Sequence, residues 1–340
     1  MRPRLASTVL ASLTTVFSLP ALAHHGVAAV GFGEPEGPGA AMETTMAFPL
    51  PRYTGFALVK SEYVSFEERA DRVAFPAQKD FASFNMAVLG FGITPYLSAY
   101  VFQPFNVKTM DGGVGHNAGL GDTNLMLAFG WKWDDGLRLI PQKESLDELA
   151  DWHFLLWAAC SLPVGPTERK GGNGEPLAPD MQTGFGKPSP SVGLTALKLV
   201  ATDWTVLAEV NYQRFFTHDY SFTRYRFGAE TRLNLAGVYR AYARGRTRVD
   251  VIGELAGLNL QRDQEDEDLD GPLPMTALEA SGGSILYGSL GVRAMLGRVI
   301  VGLGIKRAVL TSLNEASDQQ GSEGREDFRL SLSLGGSLPL

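Results

Sequence analysis

The sequence holds a single cysteine, Cys160, so no disulfide framework can staple the chain. Basic charge is not in surplus either: 30 Lys and Arg stand against 37 Asp and Glu, for a formal net charge of −7. That balance excludes the basic footprint of a protein whose partner is nucleic acid. Beyond the amino-terminal leader no stretch reaches the ~18 or more unbroken apolar residues that a membrane-spanning helix needs. A fixed repeat of the solenoid kind is also missing. What the chain has in abundance is glycine, 39 of its 340 residues, within a composition that is 44% hydrophobic. These features point to one glycine-rich β architecture.

The leader itself is informative. Arg2 and Arg4 precede an apolar run from Leu5 to Leu19, and Pro20-Ala21-Leu22-Ala23 places small residues where a signal peptidase reads. Residues 1–23 therefore read as a secretory signal peptide, to be set aside in fold reasoning. An exported chain without an apolar helix can enter a bilayer only as a closed barrel, the other structure that satisfies every backbone group in lipid.

The clearest two-residue period lies between Tyr225 and Leu260. Phe227, Ala229, Thr231, Leu233, Leu235 and Tyr239 fall on one face, and Arg226, Glu230, Arg232, Asn234 and Arg240 on the other. Strands send successive side chains to opposite faces. After Arg244-Gly245-Arg246 the pattern resumes, with Val249, Val251 and Leu255 opposed to Arg248, Asp250 and Glu254. A soluble sandwich could carry such a hairpin, as could a barrel with lipid outside and charge inside.

Loop lengths favour the barrel. Connections after residues 91, 200, 242 and 296 are short, and those after 66, 108, 164, 216, 262 and 312 are longer and polar, the sorting expected of outer-membrane barrels. The insert from Asp134 to Asp151 is the exception on the short side; there Ser145 and Glu148 form a capping-box pattern, and Leu146, Leu149 and Trp152 recur at helical spacing, predicting a short helix. Trp131 and Trp133 close a strand where an aromatic girdle would lie.

The expected fold is thus all-β, a transmembrane antiparallel up-and-down barrel of twelve strands from Phe56 onward, spanning 51–340. Ala41 to Leu50 could add a short thirteenth strand. Residues 24–50 read as a leader or plug segment that enters the lumen; a loose periplasmic tail is the alternative.

Several segments resemble a known family. GPGAAMETTMAFPLPRYTGFALVKSEYVSF, GLGDTNLMLAFGWKW, and LAPDMQTGFGKPSPSVGLTALK followed by DWTVLAEVNYQ are similar to the outer-membrane family named after a phenol meta-cleavage pathway protein, whose members are labelled transporters. Gly119 to Asp122 is the clearest local element. The resemblance covers most of the chain beyond the leader. It implies a bacterial outer-membrane barrel through which small, hydrophobic or aromatic compounds pass, with no catalytic residues to carry over.

Chemistry-bearing candidates follow from strand parity. Lys60, Glu62, Glu209, Asn211, Gln213, Arg226, Glu230, Arg232, Asn234, Arg248, Asp250, Glu254, Arg293 and Lys306 are expected to line the lumen, where charges set selectivity or pair across strands and fill the interior. Cleavage after Ala23 would begin the chain with His24-His25, and an α-amine beside two imidazoles can chelate Cu(II) or Ni(II); apart from that pair no cofactor is expected. Asp263, Glu265, Asp266, Glu267, Asp268 and Asp270 could offer oxygen ligands to Ca²⁺ or Mg²⁺, though such a run more often makes a solvated loop tip. The partners expected are a lipid bilayer and a small-molecule solute. Rival classes are a structural or metal-handling barrel without a through-path, and an outer-membrane lipid hydrolase using His218 and Ser221, which would need a positioned base and an orienting partner.

Overall fold

The computed structural model describes residues 37–66, 79–110, 116–145, 147–266, 275–314 and 326–339. The leader at 1–23, the histidine pair at 24–25, Leu146, and the acidic residues Glu267, Asp268 and Asp270 lie outside the described residues.

The alternating segments become twelve long strands. They are β1 (Thr54–Phe66), β2 (Lys79–Thr94), β3 (Leu97–Met110), β4 (Thr123–Trp133), β5 (Trp152–Leu162), β6 (Ser189–Ala201), β7 (Trp204–Gln213), β8 (Glu230–Arg244), β9 (Thr247–Leu260), β10 (Gly283–Leu296), β11 (Val299–Leu313) and β12 (Glu326–Pro339). Each pairs antiparallel with its sequence neighbours, and β1 pairs with β12, for example Val59 opposite Leu334, so the sheet closes on itself. Closure leaves no unpaired edge. Two short strands extend the wall: His116–Leu120 lies on β3 at one end, and Leu137–Leu139 on β4 at the other. Among the described residues no helix is long and apolar enough to cross a membrane.

The loops sort by end. Pro95-Tyr96, Thr202-Asp203, Gly245-Arg246 and Gly297-Arg298 make tight connections at one rim, where Gly245 and Gly297 take φ of +58° and +66°, values that side chains with a Cβ resist. The 134–151 insert shares this short-turn end. Its capping box forms, Ser145 N–H donating to Glu148 Oε2 at 2.8 Å and Glu148 N–H to Ser145 Oγ at 3.3 Å. The predicted helix is reduced to one 3-10 turn, Glu148–Ala150, because Asp151 is already extended and Trp152 begins β5.

One face of the wall is apolar and outward. Leu255, Leu290 and Leu303 are 49%, 66% and 59% exposed, and Val206, Leu233, Val292 and Leu332 are exposed beside them. Trp133, Trp152, Trp204, Tyr239 and Tyr242 are exposed toward the short-turn end, and Tyr63, Tyr212 and Phe216 toward the long-loop end. An aliphatic belt between two aromatic rings is the surface that a bilayer requires of a barrel.

Two expectations need correction. Residues 41–50 form no strand; they run inside the barrel, held by wall side chains and not by a ladder of their own. The Tyr225–Leu260 hairpin is shorter than its alternation suggested, since β8 begins at Glu230. Arg224–Arg226 belongs instead to a separate four-stranded sheet with His218–Asp219, Gln264–Asp266 and Thr276–Ala277. Phe227 is buried against Phe185 and Phe215 at the long-loop mouth, and Ala229 is buried as well. Neither faces lipid, because alternation cannot distinguish an apolar residue touching a bilayer from one covered by a neighbouring loop.

Candidate functional site

The interior is built by the inward parity of the strands and by two segments that fold into it. From the short-turn end, residues 37–50 rise to a tip at Glu43-Thr44 and descend again. Gly37 O accepts from Arg240 Nη2 at 2.7 Å and also from Arg248 Nη1. Gly39 N–H donates to Thr205 Oγ1 at 2.8 Å, and on the descending limb Leu50 N–H donates to Ser98 Oγ at 2.8 Å. Thr205 and Ser98 are each the second residue of a strand that starts at the short-turn rim, so both limbs pass that rim.

Between the limbs the wall supplies what the loop's backbone lacks. Arg293 donates to Ala40 O at 2.6 Å and Ala41 O at 2.5 Å. The Glu254 carboxylate accepts from Met42 N–H at 3.0 Å, Glu43 N–H at 3.0 Å, Thr44 N–H at 3.1 Å and the Thr44 hydroxyl at 2.9 Å. Glu209 accepts from Thr45 N–H at 2.7 Å. A buried peptide without secondary structure must find such partners. Met42 seats against glycines: a Cβ at Gly291 would lie 2.8 Å from Met42 Cγ.

The tip is fixed by charge. Glu43 Oε1 lies 2.8 Å from Lys60 Nζ, and its Oε2 lies 3.6 Å from Lys306 Nζ. Lys60 also bridges Glu62 at 2.8 Å, which meets Arg329 at 2.9 Å, and Arg329 continues to Glu326 at 2.5 Å. Elsewhere Arg248 pairs with Asp250 at 2.6 Å and Arg232 with Glu230 at 3.2 Å. Charges removed from water are paired.

From the long-loop end, the segment between β5 and β6 folds inward. Lys108 Nζ donates to the carbonyls of Asp180 and Gln182, each at 2.7 Å, and Asn117 Nδ2 to that of Met181 at 2.8 Å. Asp122 accepts from Gly165 N–H and Phe185 N–H, each at 2.8 Å. Phe185 joins Phe215 and Phe227, with ring centroids 4.8 and 5.3 Å away, in an aromatic cluster with Tyr220 and Tyr225. Burial and the adjacent Asp263 carboxylate, 2.6 Å away, push the Tyr225 phenol well above its usual range.

Between the Glu43 tip and the Gln182–Phe185 stretch lies a cavity. Glu43, Lys60, Glu62, Arg232, Gln213 and Arg329 contribute its polar side, Phe84, Met86, Phe102 and Phe185 its apolar side.

Of the residues expected in the lumen, Lys60, Glu62, Glu209, Asn211, Glu230, Arg232, Asn234, Arg248, Asp250, Glu254, Arg293 and Lys306 have buried side chains on the inner side of the closed sheet. Gln213 borders the cavity. Arg226 is the exception: it lies in the mouth sheet, off the barrel wall, and donates to Gln264 Oε1. Sequence reasoning missed Glu43, Lys108 and Arg329. The signal for Arg329 was present, since it stands between Phe328 and Leu330 in an alternating strand; Glu43 had none, because its segment has no period.

The His218 and Ser221 pair does not assemble. Both ring nitrogens of His218 are buried without a hydrogen-bond partner, its ring packs on Tyr220 at 4.6 Å, and burial lowers its pKa. Ser221 N–H instead donates to Glu168. Among the described residues no group of three or more His, Cys, Asp or Glu could hold a metal ion.

No family model and no curated relative matches the sequence. Solved structures do. An outer membrane channel from Pseudomonas putida F1 is 14% identical, covers 86% of this chain and 98% of its own, and superposes with a TM-score of 0.61. The NanC porin is 11% identical over 84% of this chain and 100% of its own, with a TM-score of 0.43. The first likeness, together with the aliphatic belt and the closed ring of strands, establishes the fold of an outer-membrane β-barrel.

Proposed function

We propose that this chain is a bacterial outer-membrane channel for small, hydrophobic or aromatic solutes, exported behind a signal peptide cleaved after Ala23 and closed at rest by residues 37–50. The short-turn end then faces the periplasm and the long loops face outward. The carrying observation is how the lumen loop is held: by Arg248, Arg293, Glu254, Glu209 and Lys60 through side-chain bonds, without a strand ladder of its own. A segment secured this way can leave without unzipping the wall. The likeness to the Pseudomonas putida channel and the resemblance to the phenol meta-cleavage pathway family support the same reading.

A second reading, a barrel with no through-path, draws on the same geometry, since the 37–50 loop and the Gln182–Phe185 stretch cover the cavity from both sides. Planar-bilayer recording decides between them. The channel reading expects rare, brief openings in the unaltered protein and frequent ones in Glu254→Leu, which leaves three loop N–H groups without their acceptor at about 1–3 kcal/mol each. A Glu254→Leu barrel that stays folded and never conducts sinks it.

A further inference from the structure

Arg244, Arg246 and Arg298 stand at two neighbouring turns of the short-turn rim, and all three are exposed. Gly245-Arg246 joins β8 to β9, and Gly297-Arg298 joins β10 to β11. Because β9 pairs with β10, the turns lie side by side, tied by Gly297 N–H donating to Arg246 O at 2.8 Å. Arg246 leans across the gap. The position a Cβ would take on Gly297 is 4.0 Å from each of its Nε, Cζ and Nη2 atoms, and a point equidistant from those three lies above the guanidinium plane. The guanidinium is therefore laid flat against the turn that carries Arg298. Arg244 completes the group. It pairs with Thr247, Thr247 with Leu296 and Leu296 with Val299, and residues directly opposite in a ladder share a face. Leu296 and Val299 are 54% and 46% exposed, so Arg244 leaves the wall on its outer face, in the last row of the belt.

No described carboxylate neutralises these three. Among the described residues none of their guanidinium groups makes a hydrogen bond or an ion pair, and the surrounding stretches of wall, 241–249, 294–304 and 330–339, contain no Asp or Glu. Asp250 points inward and is taken by Arg248 at 2.6 Å. Other exposed arginines of the barrel differ: Arg138 reaches Asp134 at 2.9 Å, and Arg307 reaches Asp327 at 3.2 Å. Like charges gathered without a counter-charge repel one another. The patch is complementary to an anion from outside the chain.

The fold fixes what lies against it. The aliphatic belt ends at Leu296 and Val299, where hydrocarbon gives way to headgroups, and an arginine there lays its stem along apolar surface and its charge in the polar layer. The group of matching charge at that level is a phosphodiester, whose oxygens a guanidinium fork can meet in pairs.

We propose that Arg244, Arg246 and Arg298 form a binding site for the headgroup phosphate of an anionic phospholipid in the leaflet at the short-turn end, with Leu296 and Val299 against the start of its acyl chains. A zwitterionic lipid carries its own ammonium beside the phosphate and compensates the arginines less, so net charge selects the lipid. The site depends on the barrel and its belt, and on neither conduction nor the lumen loop.

Native mass spectrometry of the full folded barrel in a non-ionic detergent tests it, with dioleoyl phosphatidylglycerol, dioleoyl phosphatidylethanolamine and glycerophosphoglycerol, the first lipid's headgroup without chains. Phosphatidylglycerol is expected to be retained saturably and at least about fivefold more tightly than phosphatidylethanolamine, the factor that one arginine contributes at an anionic surface. The free headgroup should not displace it. Each of Arg244→Gln, Arg246→Gln and Arg298→Gln should weaken phosphatidylglycerol by about fivefold, and the triple variant should hold the two lipids equally. Arg138→Gln, at the same rim but at an arginine paired with Asp134, should leave the preference unchanged. The comparison of lipids on the unaltered barrel decides the matter even where a variant fails to fold. Equal retention of the two lipids, an undiminished preference in the triple variant, or displacement by the free headgroup would each overturn the site. Retention of a polyglutamate peptide more tightly than phosphatidylglycerol would overturn it in favour of an acidic protein partner.

Discussion

Glu43 decides whether the lumen loop stays at the height it occupies, because its one carboxylate meets Lys60 and Lys306 from two different strands. Glu43→Gln removes the charge and keeps the size. Lys60 retains Glu62, so the loss is that of a charge-assisted contact, about 1.5–3 kcal/mol, and every 1.4 kcal/mol is tenfold in an equilibrium. The open fraction in single-channel records should rise by at least about tenfold, and an unchanged open fraction would show that the tip is not what holds the loop. A second residue, Glu148, carries a pH dependence. The Ser145 backbone N–H and the Lys132 ammonium lower its carboxyl from 4.5 to about 2, so the unfolded chain takes up the proton more readily than the folded one. Its contribution is complete above pH 4.5 and is lost as pH falls toward 2. Amide exchange at Ser145, whose N–H donates to this carboxylate at 2.8 Å, should accelerate over that window beyond the intrinsic rate, and Glu148→Gln should abolish the pH-dependent part.

At the scale of elements, strands were legible and the segments they enclose were not. β8 and β9 could be read because each alternates between lipid and a polar interior, two environments of opposite character. The same signal failed at Tyr225 and Phe227, which alternate correctly yet pack in the mouth with Phe185 and Phe215. Residues 37–50 have no period because the side chains that bind them, among them Lys60, Ser98, Thr205, Glu254 and Arg293, come singly from separate strands. Their seat can be tested through the glycines that make room for it. A leucine at Gly291 would begin with a Cβ 2.8 Å from Met42 Cγ, and overpacking of this kind costs roughly 1–3 kcal/mol. On a Cys160→Ser background carrying Thr44→Cys, Gly291→Leu should speed maleimide labelling of the loop tip by about fivefold or more, the lower end of that range. Labelling at the parent rate would mean that the loop does not depend on this contact.

Over the whole molecule, the absence of long apolar runs and the presence of sorted loops were enough to indicate a closed barrel, since closure and alternation are consequences of placing backbone in lipid. The site inside was legible only as a parity: sequence could say that Lys60 and Glu254 point the same way, not that a distant segment would lie between them. The parity makes a prediction that separates a membrane barrel from a soluble one. Leu255 points outward near the middle of β9, 49% exposed, whereas its neighbour Glu254 points inward to the loop. In a bilayer, arginine at a lipid-facing midplane position destabilises a barrel by about 2–4 kcal/mol, while on a solvated surface it would shift stability by no more than ~0.5 kcal/mol. Reversible unfolding by guanidinium in phospholipid vesicles should therefore show Leu255→Arg losing at least about 2 kcal/mol. The same substitution at Leu338, exposed one residue from the short-turn end of β12, should lose less than about 1 kcal/mol, as at an interface. Equal small losses at the two positions would place the aliphatic belt in water.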